Sequence, residues 1–265
     1  MATGIALRGC MDKNQHKIIV RHLNWINRFA DEVMNEPSIM IGKKDYGKTL
    51  LFLQVTKLYT STKAVLELVK KSYGMDAMIV VRSMLNNLIS CKWIIESKPK
   101  TRAKRFIHYN TVLRKRFLDI AQKYPEQKSH FLKVLTDEKE INSSYKKIER
   151  RFSDKYSWSG KKIWKMAEDV GLKWDYDFIY NLASSLEHSD INSLNEYFAG
   201  IDHANKLFMF KGGPVPGYVM ESGITSIKYM GEGLELFIKI FKLNKNYQER
   251  LLRFARRISA TLKKD

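Results

Sequence analysis

The sequence predicts an all-α protein in which residues 1–265 fold as a single multi-helix bundle. Three observations favour this fold class. Apolar residues recur at steps of three and four over most of the chain, which is the period of an amphipathic helix. Alternation with a period of two is scarce, and no Asn-Gly or Asp-Gly pair offers a tight hairpin turn. With only 5 prolines and 14 glycines, few residues interrupt the helical pattern.

The individual helices follow from the apolar pattern and from the residues that end it. Pro37 and Gly74 follow the first two helices as stop signals. The third segment is apolar nearly all round, which is typical of a central, buried helix. The motif GGPVPG at 212–217 predicts a loop. In chain order, we expect helices over these ranges: 16–35, 49–71, 75–96, 101–123, 127–153, 161–170, 176–188, 192–210, 221–241 and 246–263.

The composition indicates a soluble protein of a reducing compartment, and we expect it in the cytoplasm. Hydrophobic residues make up 44% and charged residues 28%, as in ordinary globular proteins. No run approaches the roughly 20 uncharged apolar residues of a membrane span, and the first residues do not form a secretion signal. The only cysteines, Cys10 and Cys91, are too few for a disulfide framework or a thiolate zinc site. We expect no metal and no cofactor.

The charge balance is the first indication of a partner. The chain has 47 Lys and Arg against 28 Asp and Glu, which gives a net charge of +19. Such an excess favours an acidic partner. Nucleic acid is the first candidate, and an anionic membrane surface is the second. Charge can also serve solubility alone. The basic helix 246–263 has an apolar face that suits a partner helix or a membrane surface equally.

One basic tract is more specific about the partner. Residues 98–116 contain eight Lys or Arg, no acidic residue, and interleaved aromatic side chains. Basic groups with aromatics suit a phosphate backbone and exposed bases. A second stretch, 139–165, has nine basic against three acidic residues. The predicted nucleic-acid-binding residues of the first tract are Arg102, Lys104, Arg105, His108, Arg114, Lys115 and Arg116.

A nucleotide-binding motif occurs in the wrong context. Residues 42–49, GKKDYGKT, fit the Walker A pattern GxxxxGK[ST]. That motif requires a strand before it and a βαβ arrangement around it. Only the short apolar run 39–41 precedes it, directly after Pro37. We therefore interpret residues 42–49 as a basic turn that opens the next helix.

Two helices carry polar residues that could do chemistry. Arg82 and Asn86 lie four apart on the most apolar helix and share one face. Arg82 then either joins helices through hydrogen bonds or is held for a phosphate or carboxylate. Tyr180, Ser184 and His188 form a stripe on a later helix. His188 is the best general acid or base because its ordinary pKa is near neutral, or else it only stabilises a helix end.

The surroundings of His188 are acidic. Residues 174–205 contain six Asp or Glu and no Lys or Arg. Such a segment repels phosphate unless an arginine from elsewhere completes the site. A metal site is the alternative, although the spacings match no established motif. Its ligands would come from Glu187, His188, Asp190, Asp202 and His203.

Two stretches, 81–109 and 164–198, resemble a family of bacterial all-helical proteins known only as a domain of unknown function. The family pattern is Arg-x-x-x-Glu on a central helix, followed by Tyr-Arg-x-x-Ser-x-x-x-His on a later helix. Asn86 stands where the family has the glutamate, and Asn181 stands where it has the second arginine. The residues that match are Arg82, Tyr180, Ser184 and His188.

The arginine-to-histidine spacing of that family is similar to the R-x(4–6)-H motif of the HEPN superfamily. HEPN proteins are helical bundles, often dimeric, and many are metal-independent ribonucleases of toxin and phage-defence systems. The resemblance implies an RNA-directed effector in which His188 moves protons and Arg82 stabilises charge on the phosphate. Tyr180, Ser184 and Asn86 would position groups. It also implies a homodimer or a larger defence complex. The alternative is a non-catalytic helical module that binds nucleic acid or a protein complex through basic faces.

Overall fold

The computed structural model describes residues 13–124, 126, 137–152 and 157–262. These residues are mostly helical, so the predicted fold class is confirmed. The helices are α1 Lys13–Met34, α2 Tyr46–Lys70, α3 Gly74–Glu96, α4 Pro99–Lys123, α5 Glu138–Ile148, α6 Ile163–Asp169, α7 Lys173–Asp175, α8 Asn181–Glu187, α9 Ile191–Leu194, α10 Val219–Phe241 and α11 Lys245–Leu262. Residues 127–136 and 153 of the predicted helix 127–153 lie outside the described residues, and α5 covers Glu138–Ile148 of that range.

Four long helices form the core of the protein. α2, α3 and α10 pack against one another, and α1 packs against α2 and α10. Glycines allow the closest approaches. A Cβ at Gly233 of α10 would lie 2.7 Å from Cδ1 of Leu58 on α2, and one at Gly223 would overlap Ile19 of α1. Because these glycines have no side chain, the helices can approach closely and pack at the density of a protein interior.

The central helix is α3, as the sequence predicts. Its buried residues are distributed around the helix, since it packs against α2 and α10 in the core and against α6 and α8 on another side. Among the described helices, α3 alone is long and apolar enough to cross a membrane. However, 56% of its most apolar window is buried inside the protein. Burial of this kind is typical of a core helix that packs against several neighbours.

Helix α4 lies at the edge of this core. It begins with Pro99 at its first turn, where the missing N–H leaves no helical hydrogen bond unmade. It contacts α2 and α5, and only five of its 25 residues are buried. Tyr109 and Val112 of α4 form a small second core with Phe152. Most of the basic side chains of α4 are therefore left at the surface or half-buried.

The predicted helix 176–188 contains an unexpected turn. Residues Tyr176–Tyr180 form a π-helical turn between α7 and α8. π-turns are rare and occur frequently at functional sites, because the extra residue changes the direction of the side chains. Helix α8 packs against α3. The run Lys173–Glu187 thus brings its polar stripe next to the central helix.

The prediction of one helix over 192–210 is wrong. α9 and a 3₁₀ turn at Asn195–Tyr197 are followed by an antiparallel hairpin of β1, Phe198–Asp202, and β2, Leu207–Phe210. Asp202 Oδ1 accepts hydrogen bonds from the backbone of Ala204 at 3.0 Å and of Asn205 at 3.2 Å. This Asx turn reverses the chain without the Asn-Gly or Asp-Gly pair that the sequence analysis required. The aromatic run of β2 then favours a strand.

Candidate functional site

The structure brings Arg82 together with two residues that follow about a hundred positions later. Nη2 of Arg82 donates a hydrogen bond to Oη of Tyr180 at 2.9 Å, and the guanidinium carbon lies 4.4 Å from the centre of the Tyr180 ring. Nη1 of Arg82 forms an ion pair with the Glu187 carboxylate. The Arg82 side chain is only 18% exposed. Its charge is therefore compensated by a neighbouring acid, as burial requires.

The π-helical turn explains why Tyr180 is held at this place. The ring of Tyr176 stacks on the ring of Tyr180 with centroids 4.6 Å apart and an interplanar angle of 18°. Burial raises the pKa of Tyr176, the nearby Tyr180 raises it further, and the charge of Arg82 opposes both effects. Tyr180 thus lies between a second aromatic ring and a guanidinium, which restricts its rotamer.

Glu187 is the partner of Arg82 that the sequence analysis did not find. The family pattern puts the acid at position 86, where Asn86 stands, and Glu187 was predicted only as a possible metal ligand. Glu187 follows Tyr180 by seven residues, which is two helical turns, so both side chains lie on the same face of this helical run. That spacing was the available signal. It becomes informative only once α8 is known to pack against α3.

Two buried polar atoms of α3 lack a hydrogen-bond partner within the described part of the chain. They are Nε of Arg82 and Oδ1 of Asn86. One is a donor and the other an acceptor, and they lie one turn apart on the same face. An unpaired buried group costs roughly 1–3 kcal/mol. Arg82 and Asn86 are therefore close in the structure, and the described residues leave one buried polar atom of each without a hydrogen bond.

His188 and Ser184 lie at the end of α8. His188 caps the helix, its side chain is exposed, and its backbone N–H donates to the Ser184 carbonyl at 3.0 Å. Among the described residues, neither the imidazole of His188 nor the hydroxyl of Ser184 has a hydrogen-bond partner. Asn181, which replaces the second arginine of the family pattern, donates to the Asp177 carbonyl at 2.8 Å. The imidazole is thus accessible, one residue after the acid that binds Arg82.

The acidic residues around His188 have local partners. Asp190 accepts hydrogen bonds from the Ser185 hydroxyl and the Ser193 backbone, and Asp202 closes the hairpin turn. Within the described ranges, no group of three or more His, Cys, Asp or Glu side chains is placed to hold a metal ion. The alternative metal set of the sequence analysis is therefore not assembled.

A basic cavity of about 520 Å³ lies along α4. We call it the α4 cavity. Three of the predicted nucleic-acid-binding residues, Lys104, Arg105 and His108, line it, and none of the described residues around it carries a carboxylate. Arg151, which was not among the predicted binding residues, comes from the 3₁₀ turn after α5 and belongs to the second basic stretch. The full set is Lys100, Thr101, Lys104, Arg105, His108, Arg151 and Phe152.

Contacts hold the cations of the α4 cavity in place. Nε of Arg105 donates to the Trp158 carbonyl at 2.7 Å, and its guanidinium lies 5.0 Å from the centre of the Phe152 ring. Nζ of Lys104 lies 5.2 Å from the centre of the Tyr46 ring. A cation near the face of an aromatic ring is attracted to the ring but is not neutralised by it, so its charge can still attract an anion. The cavity is thus positively charged and partly preorganised.

The other four residues of the predicted set lie elsewhere. The guanidinium of Arg102 stacks 3.5 Å from the centre of the Trp93 ring and donates to the Trp93 carbonyl. Burial lowers the pKa of Arg102, while nearby Asp169 opposes this effect. Lys115 pairs with Asp119 at 2.6 Å. Arg114 and Arg116 also have partners. The geometry thus gives Arg102 a packing role between α4 and α3.

Comparison with known proteins gives a family but no function. A family model described as a family of unknown function (DUF5677) matches residues 48–206. No curated protein and no solved structure matches the chain. None of these comparisons links the chain to the HEPN superfamily. The matched residues make up more than half of the chain and include α3, α4 and α8. The chain therefore belongs to the family of unknown function DUF5677.

Proposed function

We propose that this protein is an RNA-directed protein of the cytoplasm that binds the RNA backbone through the basic face of α4. The observation that carries the proposal is the α4 cavity, where Lys100, Lys104, Arg105 and Arg151 converge with His108. Four cations around one concave surface repel one another unless an anion joins them. A phosphate backbone supplies several anions at once and releases its counterions on binding.

The shape and the resemblance support RNA as the partner. A concave site of about 520 Å³ can take a sugar, a phosphate and part of a base, which a flat surface cannot. Phe152 lines the cavity but is only 6% exposed, so the contacts to RNA come from the basic groups. The choice of RNA over DNA rests on the similarity of the Arg82–His188 pattern to HEPN ribonucleases.

The salt dependence of binding tests this proposal. Fluorescence anisotropy with a single-stranded RNA of about 15 nucleotides should give an affinity that falls steeply with salt, by a slope of about 0.7 per neutralised phosphate. Lys104→Glu should weaken binding and lower the slope. Lys239→Glu, which makes the same charge change on an exposed position of α10, should leave the slope unchanged. Affinity that is absent, or flat with salt, would contradict RNA binding.

A second candidate function is RNA cleavage by a bacterial defence or toxin effector. The observation that favours it is the exposed imidazole of His188, directly after the acid that holds Arg82. In this reaction the 2′-OH of the RNA attacks the adjacent phosphorus atom and the bond to the 5′-oxygen breaks. His188 would take the proton of the 2′-OH and return a proton to the leaving oxygen. Arg82 would release the Glu187 carboxylate, bind the phosphate in its place and stabilise the phosphate charge. Tyr180, Ser184 and Asn86 would act as positioning groups.

A further inference from the structure

We infer that the turn Gly42–Thr49, which has the sequence of a nucleotide-binding loop, forms a second phosphate subsite beside the α4 cavity, so that single-stranded RNA binds across both. This inference rests on the proposed RNA binding and extends it to a defined path over the surface. It concerns residues that lie far from the nucleic-acid-binding tract in sequence. The path is built from α4, the start of α2 and the turn that precedes α2.

The turn lies directly against the beginning of α4. A Cβ at Gly47 would come within 3.3 Å of the Cβ of Pro99, the first residue of α4. A cavity of about 360 Å³ opens at this contact. Lys100 lines both this cavity and the α4 cavity. The residues around the second cavity, which we call the turn cavity, are Lys44, Asp45, Tyr46, Gly47, Pro99 and Lys100.

The groups that would hold a triphosphate in a Walker loop are already engaged. Oδ1 of Asp45 caps α2 by accepting a hydrogen bond from the Lys48 backbone at 3.0 Å. Nζ of Lys48 lies 3.9 Å from the Asp45 carboxylate and does not line the turn cavity. The Thr49 hydroxyl donates to the Asp45 carbonyl at 2.9 Å. The described residues before the turn form no strand. The lysine and hydroxyl of the motif therefore serve the start of a helix.

Lys100 connects the cations of the two cavities, because it lines both of them. Lys100 and Lys104 are one helical turn apart on α4, about 6 Å along the axis. Lys44 lines the turn cavity together with Lys100, and its side chain is exposed. The only carboxylate of the described lining residues is that of Asp45, which is bound to the Lys48 backbone. A strand that leaves the α4 cavity past Lys100 therefore meets Lys44 next.

The turn cavity has a partly exposed aromatic ring, that of Tyr46, beside its cations. Phe152 of the α4 cavity is only 6% exposed and packs with Tyr109 and Val112, so it offers no free face to a base. Cations beside an accessible aromatic ring are typical of sites for single strands, whose unpaired bases can stack. A duplex keeps its bases paired and cannot use the Tyr46 ring. The geometry therefore favours a single strand that reaches the turn cavity.

Two lysines of the same turn give a matched test. Lys44 and Lys48 are four residues apart, and each Lys→Ala change removes one positive charge. Binding of a single-stranded RNA of about ten nucleotides is measured over a range of salt, together with binding of ATP and magnesium. We expect Lys44→Ala to weaken RNA binding several-fold and to lower the salt slope by about 0.7, the value for one phosphate on a single strand. Lys48→Ala should change neither the RNA affinity nor the salt slope. Lys44→Arg, which keeps the positive charge, should retain the wild-type slope.

The outcomes separate this inference from the proposed function. If the wild-type protein binds RNA and Lys44→Ala behaves as Lys48→Ala does, the second subsite is wrong and RNA binding stands. If the wild-type protein does not bind RNA, both proposals fail. If the protein binds ATP and Lys48→Ala abolishes that binding, the turn is a nucleotide site and the inference is overturned. Circular dichroism of both variants confirms that the exposed changes leave the fold intact.

Discussion

The basic face of α4 and the acidic segment 174–205 handle charge in opposite ways. The basic face gathers cations around two cavities and leaves them without a described carboxylate partner, apart from Asp45 at one edge. The acidic segment contains six carboxylates and no cation of its own, and it binds Arg82 from α3 through Glu187. One region can accept an anion directly. The other must first release the arginine that it holds.

This difference separates binding from chemistry along the chain. Phosphate affinity should come from the cations that line the two cavities, because each phosphate that they neutralise releases its counterions. Any cleavage should depend on the acidic segment, because His188 lies there, one residue after the Glu187 that pairs with Arg82. RNA held on α4 would have to reach across to α8, or a second copy of the chain would have to present it. Substitutions in the two regions should therefore have different effects.

The largest expected effect is that of His188→Ala on cleavage. A positioned general acid or base contributes on the order of 10²–10⁴ in rate, so cleavage of a labelled RNA in single turnover should fall by that factor. RNA affinity should stay the same, because His188 lies outside both cavities. His203→Ala is the matched control, since it removes an exposed histidine of the same acidic segment.

Other results for His188→Ala would change the comparison. Cleavage or toxicity on expression that equals the wild type would remove His188 from any catalytic role and leave the non-catalytic binding module. Loss of affinity together with cleavage would mean that the acidic segment itself contacts RNA. Circular dichroism keeps a folding defect apart from both results.

An intermediate effect is expected for Glu187→Gln. This change removes the anion that compensates Arg82 while it keeps the size of the side chain. Since the Glu187 side chain is 40% exposed, the free energy of unfolding should fall by only about 1 kcal/mol. RNA affinity at low salt should rise slightly, because one repulsive charge is lost and Arg82 becomes available.

Urea denaturation and anisotropy on the same preparation measure both quantities. Glu168→Gln is a suitable control, since it removes an exposed acid of α6. Stability equal to that of the wild type would mean that the Arg82–Glu187 pair contributes nothing to the fold, and that Tyr180 alone holds the guanidinium. A lower RNA affinity would contradict the view that the acidic segment repels phosphate.

Local sequence patterns predicted the helices but not the contacts between them. α3 is evident from its continuous apolar character, and α2 and α10 follow from their periodicity. The Arg82–Tyr180 contact joins residues 98 positions apart, and periodicity can only state which face each residue occupies. Arg102 had the composition of a binding residue, yet the ring of Trp93 draws it into the packing of α4. A charged side chain on a basic helix thus can serve either role, and only the tertiary structure decides.

The hairpin of β1 and β2 was not predicted for a different reason, which is also local. A tight hairpin turn was expected only at an Asn-Gly or Asp-Gly pair, whereas Asp202 supplies the turn through its own carboxylate. Gly200, with a φ of +144°, allows the irregularity in β1 that no other residue would tolerate easily. Two short strands with many exposed apolar residues are also difficult to distinguish from an apolar helix by periodicity.

The smallest expected effect is that of Phe210→Ala in the hairpin. Phe210 is 70% exposed and Phe208 is 68% exposed, and the neighbouring Leu207 and Met209 on the other face of β2 are exposed as well. A side chain that buries little area loses little on truncation, so the free energy of unfolding should change by less than about 0.5 kcal/mol. Phe237→Ala in α10, where the side chain is fully buried, should cost about 3–5 kcal/mol. RNA affinity should be unaffected by Phe210→Ala, because the hairpin lies outside both cavities.

Urea denaturation at two protein concentrations measures the difference in stability between Phe210→Ala and Phe237→Ala. If Phe210→Ala destabilised the protein as strongly as Phe237→Ala, and more so at high concentration, the hairpin would be covered by another copy of the chain in solution. The hairpin, whose first strand belongs to the acidic segment, would then be an interface between subunits, and the contrast with the basic face would be one between assembly and RNA binding.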